Sequence, residues 1–457
     1  MQIFEHETIV NENIDKTFSW FEHEGSFRRL MPPWEVSTEV KADKTIHEGA
    51  IRIFKFPFGP LTMKWVAKHT IYSPPNQFKD IMLKGPFKKW EHEHNFKSKG
   101  DSTIVTDSVK YQVPLGILGN IFAGRSVRKR IKRMFISREL RLIRDLKQHS
   151  HFNSKKRKKI LVAGSSGMIG TQLCAFLDTG GHDIWRLVRR EIEPDSNEIF
   201  WDPEDNYINS DEIEGFDVII HLGGAGIGDK RWTKKRKKLI QDSRKLSTLL
   251  LSETISKLKQ KPEVFLVASA IGIYGNRGDE ELTEESSPGS GFLTETTLNW
   301  ESYTEAAKNS GIRVINIRTG IVLSATGGAL KRMLLPWKVG AGGSIGGGKQ
   351  WMSWISLDDH IYAINHLIMN EKCNGVFNLT SPNPVRQKFF SKTLGKVLRR
   401  PAFAPIPKFP MKILFGELAT PLLFEGQKVF PEKILDSGFS FTHESLENAL
   451  RDCLGRW

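Results

Sequence analysis

An apolar run that passes without a break into a glycine turn constrains this chain more than any other feature. Ile160-Leu-Val-Ala163 leads directly into Gly164-Ser-Ser-Gly167-Met-Ile-Gly170. Continuous apolar residues suit a parallel strand buried on both faces, and residues 171–177 suit the helix that should follow. Gly164 permits a tight turn, Gly167 lets the backbone approach a pyrophosphate, and Gly170 lets the helix lie close on the strand. The order strand, turn, helix therefore predicts a dinucleotide cradle made by Gly164, Ser165, Ser166, Gly167, Met168, Ile169 and Gly170, with the phosphates facing a helix N-terminus.

The rest of the second half alternates between strand and helix signals. Strands are expected at 184–188, 218–222, 264–268 and 313–318, with helices at 235–257 and 296–309. That pattern predicts an α/β domain of the Rossmann type, a doubly wound parallel sheet spanning 159–383. Beyond residue 384, Pro401, Pro405, Pro407, Pro410, Pro421 and Pro431 interrupt short helical pieces, so 384–457 reads as a small C-terminal subdomain.

The motif begins only after about 160 residues, which leaves room for a further domain at 1–148 and a basic linker at 149–158. Strand signals recur at 3–10, 50–56, 61–72, 78–83, 89–96 and 102–113, while Ile14, Phe18 and Phe21 fall at helical spacing. Val127, Ile131, Met134, Phe135, Leu142 and Leu146 then mark a long amphipathic helix with a basic outer face. A helix closing over a curved antiparallel sheet leaves an apolar cavity. The order, with Phe58-Gly-Pro-Leu61, Trp90-Glu-His-Glu-His94 and Thr106-Asp-Ser-Val-Lys-Tyr-Gln-Val-Pro114, resembles the START-like superfamily (SRPBCC, polyketide cyclase/lipid transport). The resemblance implies an α+β helix-grip domain for a hydrophobic ligand. His92 and His94 alternate with Glu91 and Glu93; an exposed or ordinary polar strand face is preferred to a metal site, and no metal ligand is assigned.

Composition narrows the setting. With 457 residues, two or three domains are expected. Cys174, Cys373 and Cys453 are scattered, odd in number and without metal-ligand spacing, which suggests a reducing, cytoplasmic location. No basic segment with an apolar stretch opens the chain, and no apolar run approaches the roughly 20 residues that span a bilayer. The net charge of +15 comes largely from 125–147, 155–159 and 234–238, without a nucleic-acid-binding motif around them. Solvated linker and helix faces are the preferred explanation, a peripheral contact with an anionic membrane or polyanion the lesser one, and no specific nucleic acid is expected as a partner.

The second strand of the parallel sheet ends at Val188 and is followed by Arg189 and Arg190, where an acidic residue would favour NAD. Guanidiniums suit a ribose 2′-phosphate, so NADP is favoured over NAD, with Arg189 the better candidate because it comes first. His221-Leu222-Gly223-Gly224 follows another buried strand and would run beside the cofactor. Asp229-Lys-Arg-Trp232, Ser269-Ala-Ile-Gly-Ile-Tyr-Gly275, Arg318-Thr-Gly320, Trp354-Ile-Ser-Leu-Asp-Asp359 and Ser381-Pro-Asn-Pro-Val-Arg386 resemble the atypical short-chain dehydrogenase/reductase family typified by YfcH-like proteins, an NAD-dependent epimerase-like group. The resemblance runs from about residue 159 to the end. It implies a bound dinucleotide, with Ser269 and Arg318 joining the cofactor-binding set, and leaves the substrate undefined.

Working reductases and epimerases of this superfamily use a tyrosine with a lysine at i+4, whose charge lowers the phenol pKa. None of the six tyrosines has that partner, and Phe292 and Thr296 occupy the expected positions. Three options stay open: Tyr274 acts as the acid with Ser269 and the Asp229-Lys230-Arg231 loop; Glu301 does; or the chain binds NADP without turnover. The expected function is an NADP-binding oxidoreductase or epimerase-like enzyme for a small, apolar molecule held by or delivered from the START-like domain. The alternative is a non-catalytic NADP sensor or lipid-binding protein.

Overall fold

The computed structural model describes residues 1–58, 61–114, 116–152 and 155–457, with the backbone alone at Phe58 and 116–123. Gly59 and Pro60 of the START-like string and Asn153 and Ser154 of the expected linker lie outside the described residues. The chain forms two compact units: Met1–Lys155 with Ala175–Gly181, and Lys156–Cys174 with His182–Trp457.

The first unit opens with β1 (Gln2–Val10), α1 (Ile14–Glu22) and α2 (Gly25–Leu30). There follow β2 (Thr38–Ala42), β3 (Ile51–Phe58), β4 (Leu61–Ser73), β5 (Gln77–Lys84), β6 (Lys89–Lys99), β7 (Ser102–Gln112) and the long α3 (Gly116–Ser150). The sheet is antiparallel in the order β1-β7-β6-β5-β4-β3-β2. Asn13 starts α1, its side chain accepting the Lys16 N–H at 2.9 Å.

Alternation along β6 and β7 sorts the core. Trp90 and Phe96 point inward with Val105, Val109 and Tyr111, where they meet Phe18, Phe21, Ile131, Phe135, Leu142 and Leu146. Each such side chain contributes about 1.5–3 kcal/mol on burial. Between α2 and α3, Arg29 makes a bidentate pair with Asp145 at 2.7 Å for each bond, both side chains fully buried.

The face assigned to His92 and His94 is corrected. They share the parity of Trp90 and Phe96, so both point into the core and are 4 % and 6 % exposed, whereas Glu91 and Glu93 take the other face. Burial pushes the His92 imidazole down to about 3, and it pushes the Asp80 carboxyl up to about 6.

The second unit contains β8 (Lys159–Ala163), the first part of α4 (Met168–Thr179, of which 175–179 belong to the first unit), β9 (Asp183–Val188), β10 (Glu198–Asp202), β11 (Tyr207–Ile208) and β12 (Val218–His221). α5 (Lys234–Ser256), β13 (Val264–Ala270), α6 (Phe292–Ser302), β14 (Arg313–Thr319) and β15 (Gly375–Leu379) complete its centre. The sheet order is β11-β10-β9-β8-β12-β13-β14-β15, parallel apart from the edge pair β10 and β11. This is the expected doubly wound sheet. Its direction of winding reverses between β8 and β12, so the switch point lies at the ends of Ala163 and His221. Leu161, Ile219, Phe265 and Val314 fill one side of the sheet with Leu251, Ile255 and Trp300 from α5 and α6.

Cys174, Cys373 and Cys453 are buried and carry no disulfide. Among the described residues no helix is long and apolar enough to cross a membrane.

Candidate dinucleotide site

The glycine turn leaves β8 at the switch point. Gly164 takes φ +84°, and a Cβ there would stand 2.9 Å from the Gly223 nitrogen and the Leu222 carbonyl carbon. The two loops at the switch point therefore touch backbone to backbone, held by the Leu222 N–H donating to the Ala163 carbonyl at 2.9 Å. A Cβ on Gly170 would come within 2.2 Å of the Gly164 carbonyl oxygen, so only glycine lets α4 lie against the turn. Gly167 differs: its Cβ would meet only the Gly164 oxygen, at 3.3 Å, and Ser166 and Gly167 are exposed. Closed beneath and open above, the turn fits a diphosphate approaching backbone amides at the start of α4.

The neighbouring loop is stiffened from below. His221 is fully buried, its Nε2 sits 2.9 Å from Ser247 Oγ, and a Cβ on Gly223 would meet its ring at 2.9 Å. Burial, with the nearby Arg244 charge, lowers the His221 pKa to about 3, so the imidazole is neutral. Arg244 donates to the carbonyls of Ala225 at 3.1 Å and Ile240 at 2.9 Å while its guanidinium lies over Trp300. Ser243 Oγ accepts the Ala225 N–H at 3.0 Å. These supports went unread in the sequence because α5 begins with the basic run Lys234-Lys-Arg-Lys-Lys238, beside which the buried Arg244 looks like one more surface charge. Asp229 holds its loop through Arg332, at 2.7 Å.

Ala163 pairs in register with Leu187 on β9, which brings Arg189 to the same end of the sheet as the glycine turn. Arg190 is committed elsewhere, to both oxygens of Glu198 at 3.0 and 2.7 Å and to Glu193 at 3.2 Å. Arg189 is exposed and has no partner among the described residues.

Deeper along the sheet, the register sets Ser269, Arg318 and Asn378 in one row across β13, β14 and β15. Ser269 donates to Glu301 Oε1 at 2.6 Å, and Arg318 grips both oxygens of the same carboxylate at 2.9 Å. Arg318 also donates to the Tyr274 hydroxyl at 3.0 Å, and that hydroxyl donates to Asn378 Oδ1 at 2.7 Å. Tyr274 has no exposed surface, and burial raises its pKa. For Arg318, burial opposes the charge but Glu301 outweighs it and raises the pKa.

Known proteins resemble the chain over both units. Residues 160–380 fit the NAD dependent epimerase/dehydratase family, residues 20–136 the polyketide cyclase/dehydrase and lipid transport family, and residues 406–453 a domain of unknown function, DUF1731. Epimerase family protein Mb2239 of Mycobacterium bovis is 37 % identical over 291 residues, 64 % of this chain and 96 % of that protein. The chain belongs to the NAD dependent epimerase/dehydratase family. Epimerase family protein YfhF of Bacillus subtilis is 37 % identical over 295 residues, covering 64 % of this chain and 96 % of its own. A crystal structure of a nucleoside-diphosphate sugar epimerase from Corynebacterium glutamicum superposes with a TM-score of 0.82 at 30 % identity, covering 100 % of this chain and 90 % of that one. Human epimerase family protein SDR39U1 with NADPH gives 0.61 at 30 % identity over 65 % of this chain and 100 % of that one.

Within this epimerase family member, the slots expected for the tyrosine and lysine are turned to packing. Phe292 sits edge-on to Trp232 at 4.9 Å, and Thr296 donates back to the Phe292 carbonyl at 2.7 Å. The Asp358-Asp359 pair opens the helix Leu357–Met369. Ser356 caps it, accepting the Asp359 N–H at 3.0 Å and donating to the Asp359 carboxylate at 2.7 Å. Asp359 also accepts the N–H groups of Thr442 at 2.7 Å and His443 at 3.0 Å, which ties the C-terminal segment to this helix.

His443 is 4 % exposed, with Nδ1 3.4 Å from Asp359 and Nε2 3.3 Å from Asp452. Burial opposes its charge, but the two aspartates outweigh it and raise the pKa to about 9. A folded value above the unfolded ~6.5 gives stability that is fully present below pH ~6.5 and lost as pH rises through about 9. The second unit should accordingly lose about 3 kcal/mol of this contribution between those limits. Melting His443→Gln beside the parent chain from pH 6 to pH 10 checks it: the gap between them should close at the alkaline end, and a constant gap refutes the linkage.

Proposed function

We propose that this chain binds NADP(H) and acts as an oxidoreductase or epimerase-like enzyme on a small apolar molecule. What supports the cofactor choice is Arg189, exposed and without a partner among the described residues, at the same sheet end as a glycine turn that closes beneath Gly167 and opens above it. Gly164, Ser165, Ser166, Gly167, Met168, Ile169 and Gly170 would hold the diphosphate, Leu222, Gly223 and Gly224 would flank it, and Arg189 would meet the 2′-phosphate. Arg190 serves the fold through Glu198. A bound nicotinamide supplies or accepts hydride, while the chain orients it and excludes water. The START-like domain would hold the apolar substrate, and its covalent link raises the effective concentration of that substrate.

Calorimetry with NADPH and NADH tests the cofactor choice. Arg189→Ala should weaken NADPH by about 10- to 100-fold and leave NADH unchanged, the range expected for loss of charge-assisted hydrogen bonds. Equal effects on both nucleotides, or tighter NADH in the parent chain, would overturn it.

A second reading, NADP binding without turnover, is favoured by one observation. The hydroxyls of Tyr274 and Ser269 are already spent on Asn378 and Glu301, so neither is free to move a proton to a substrate. NADPH deuterated at nicotinamide C4 separates the two when incubated with hydrophobic carbonyl compounds. Deuterium transfer supports the enzyme, whereas tight binding with no transfer supports the sensor.

A further inference from the structure

The inner face of the first unit's sheet carries a polar cluster that dinucleotide binding does not use. β5, β6 and β7 are adjacent, and their register sets Asp80 opposite His92 and His94 opposite Asp107. Alternation turns all four side chains toward the core among Phe78, Phe96, Val105 and Val109. Burying two carboxylates and two imidazoles in such surroundings is costly unless something pairs with them.

Part of the pairing is visible. His92 Nε2 lies 2.9 Å from Asp107 Oδ1 in hydrogen-bonding geometry, and the rings are fixed by neighbours, His94 stacked on Phe78 at 4.0 Å and His92 edge-on to Phe135 at 5.4 Å. Part is missing. His94 Nδ1, on a residue 6 % exposed, stands 2.7 Å from the same Asp107 oxygen, an ion-pair distance, but outside good hydrogen-bonding geometry, so one carboxylate oxygen serves both rings. His92 Nδ1 faces Asp80 Oδ1 at 3.6 Å, too far for a hydrogen bond. One ligand atom each from Asp80, His92 and His94 lies within 4.8 Å of the other two. Ligands of one tetrahedral ion stand about 3.3–3.6 Å apart, since each bond is about 2.0–2.2 Å, so a small inward shift of these side chains would close them on an ion.

We propose that Asp80, His92 and His94 hold a divalent transition-metal ion of the zinc type, with Asp107 as the outer carboxylate that fixes His92. Two nitrogens and one carboxylate suit such an ion better than magnesium or calcium, which prefer oxygen ligands throughout. A carboxylate on the far nitrogen of a ligating imidazole is the usual way such rings are oriented. The Arg138 guanidinium on α3, which lies over the Phe135 ring, is near enough to attract both aspartates. With three protein ligands, the ion keeps a position open toward the core of the START-like domain, where a carbonyl or carboxylate head of an apolar ligand could bind.

Titrating the chelator-treated full chain with zinc chloride in a calorimeter tests the proposal, and cobalt(II) gives an optical readout. The expected result is one zinc per chain with submicromolar Kd and cobalt absorption bands of low-coordinate type. Asp80→Asn and His94→Ala should each weaken zinc by more than about 100-fold with an unchanged far-ultraviolet spectrum, while His47→Ala, at an exposed position, should change nothing. Asp80→Asn keeps the side-chain shape, so it decides the matter even where a histidine variant fails to fold. Absence of saturable zinc binding, or binding indifferent to Asp80→Asn, would overturn the proposal.

Discussion

Replacing Gly167 by alanine is expected to leave the fold intact and to lower NADPH affinity by about 10- to 100-fold, whereas Gly170→Ala should abolish binding by displacing α4. The two glycines are three residues apart in one turn, yet their surroundings differ in kind. At Gly170 a methyl group would be driven to 2.2 Å from the Gly164 oxygen and 2.8 Å from the Ser165 Cα. Both neighbours are backbone, so the helix must move off the strand, and the first unpaired amides of α4 move with it.

At Gly167 the added Cβ meets only the Gly164 oxygen, at 3.3 Å, and the backbone lacks the positive φ that would strain an L-residue. Its melting temperature should stay within about 2 °C of the parent, as for other exposed substitutions. The methyl would instead occupy the exposed side where a diphosphate needs to approach main-chain amides. Calorimetry with NADPH and thermal melting of both variants separate the effects. Unchanged NADPH affinity in Gly167→Ala would mean that the phosphates lie elsewhere.

The glycine turn was legible because Gly164 and Gly170 each have a backbone reason, and because Ile160 to Ala163 is apolar throughout, as a strand covered on both faces must be. Weak periodicity hid other elements. β10 reads Glu198-Ile-Phe-Trp-Asp202 and is too short and polar-ended to stand out, and β2 is an edge strand without a buried residue. The helix expected at 296–309 is two helices, Phe292–Ser302 and Glu305–Asn309, broken at Tyr303 and Thr304. In the first unit the inward histidines were readable from parity with Trp90 and Phe96; hydrophobicity alone obscured them, because a histidine looks polar whichever face it takes. Nothing local to Ser269, Glu301 or Arg318 announces their contact, since the register of β13 with β14 and the packing of α6 create it.

That contact makes Arg318→Met the substitution with the largest expected cost to stability in the second unit, about 3–5 kcal/mol. Arg318 supplies the charge that both Glu301 oxygens accept, and it also donates to Tyr274. Methionine fills much of the volume but leaves a carboxylate, 13 % exposed, with Ser269 as its remaining hydrogen-bond partner among the described residues. The melting temperature should fall by roughly 10 °C. Tyr274→Phe should cost about 1–3 kcal/mol, because the buried Asn378 Oδ1 loses its donor while Asn378 keeps only the bond that its Nδ2 donates to the Phe430 carbonyl. Pairing Arg318→Met with Glu301→Gln should recover part of the loss, since the double change removes the stranded charge. NADPH affinity of the folded Arg318→Met chain should stay within about threefold of the parent, because its guanidinium is occupied inside the protein. A large affinity loss at unchanged melting temperature would instead place Arg318 against the cofactor and reopen Tyr274 and Ser269 as the proton-moving pair.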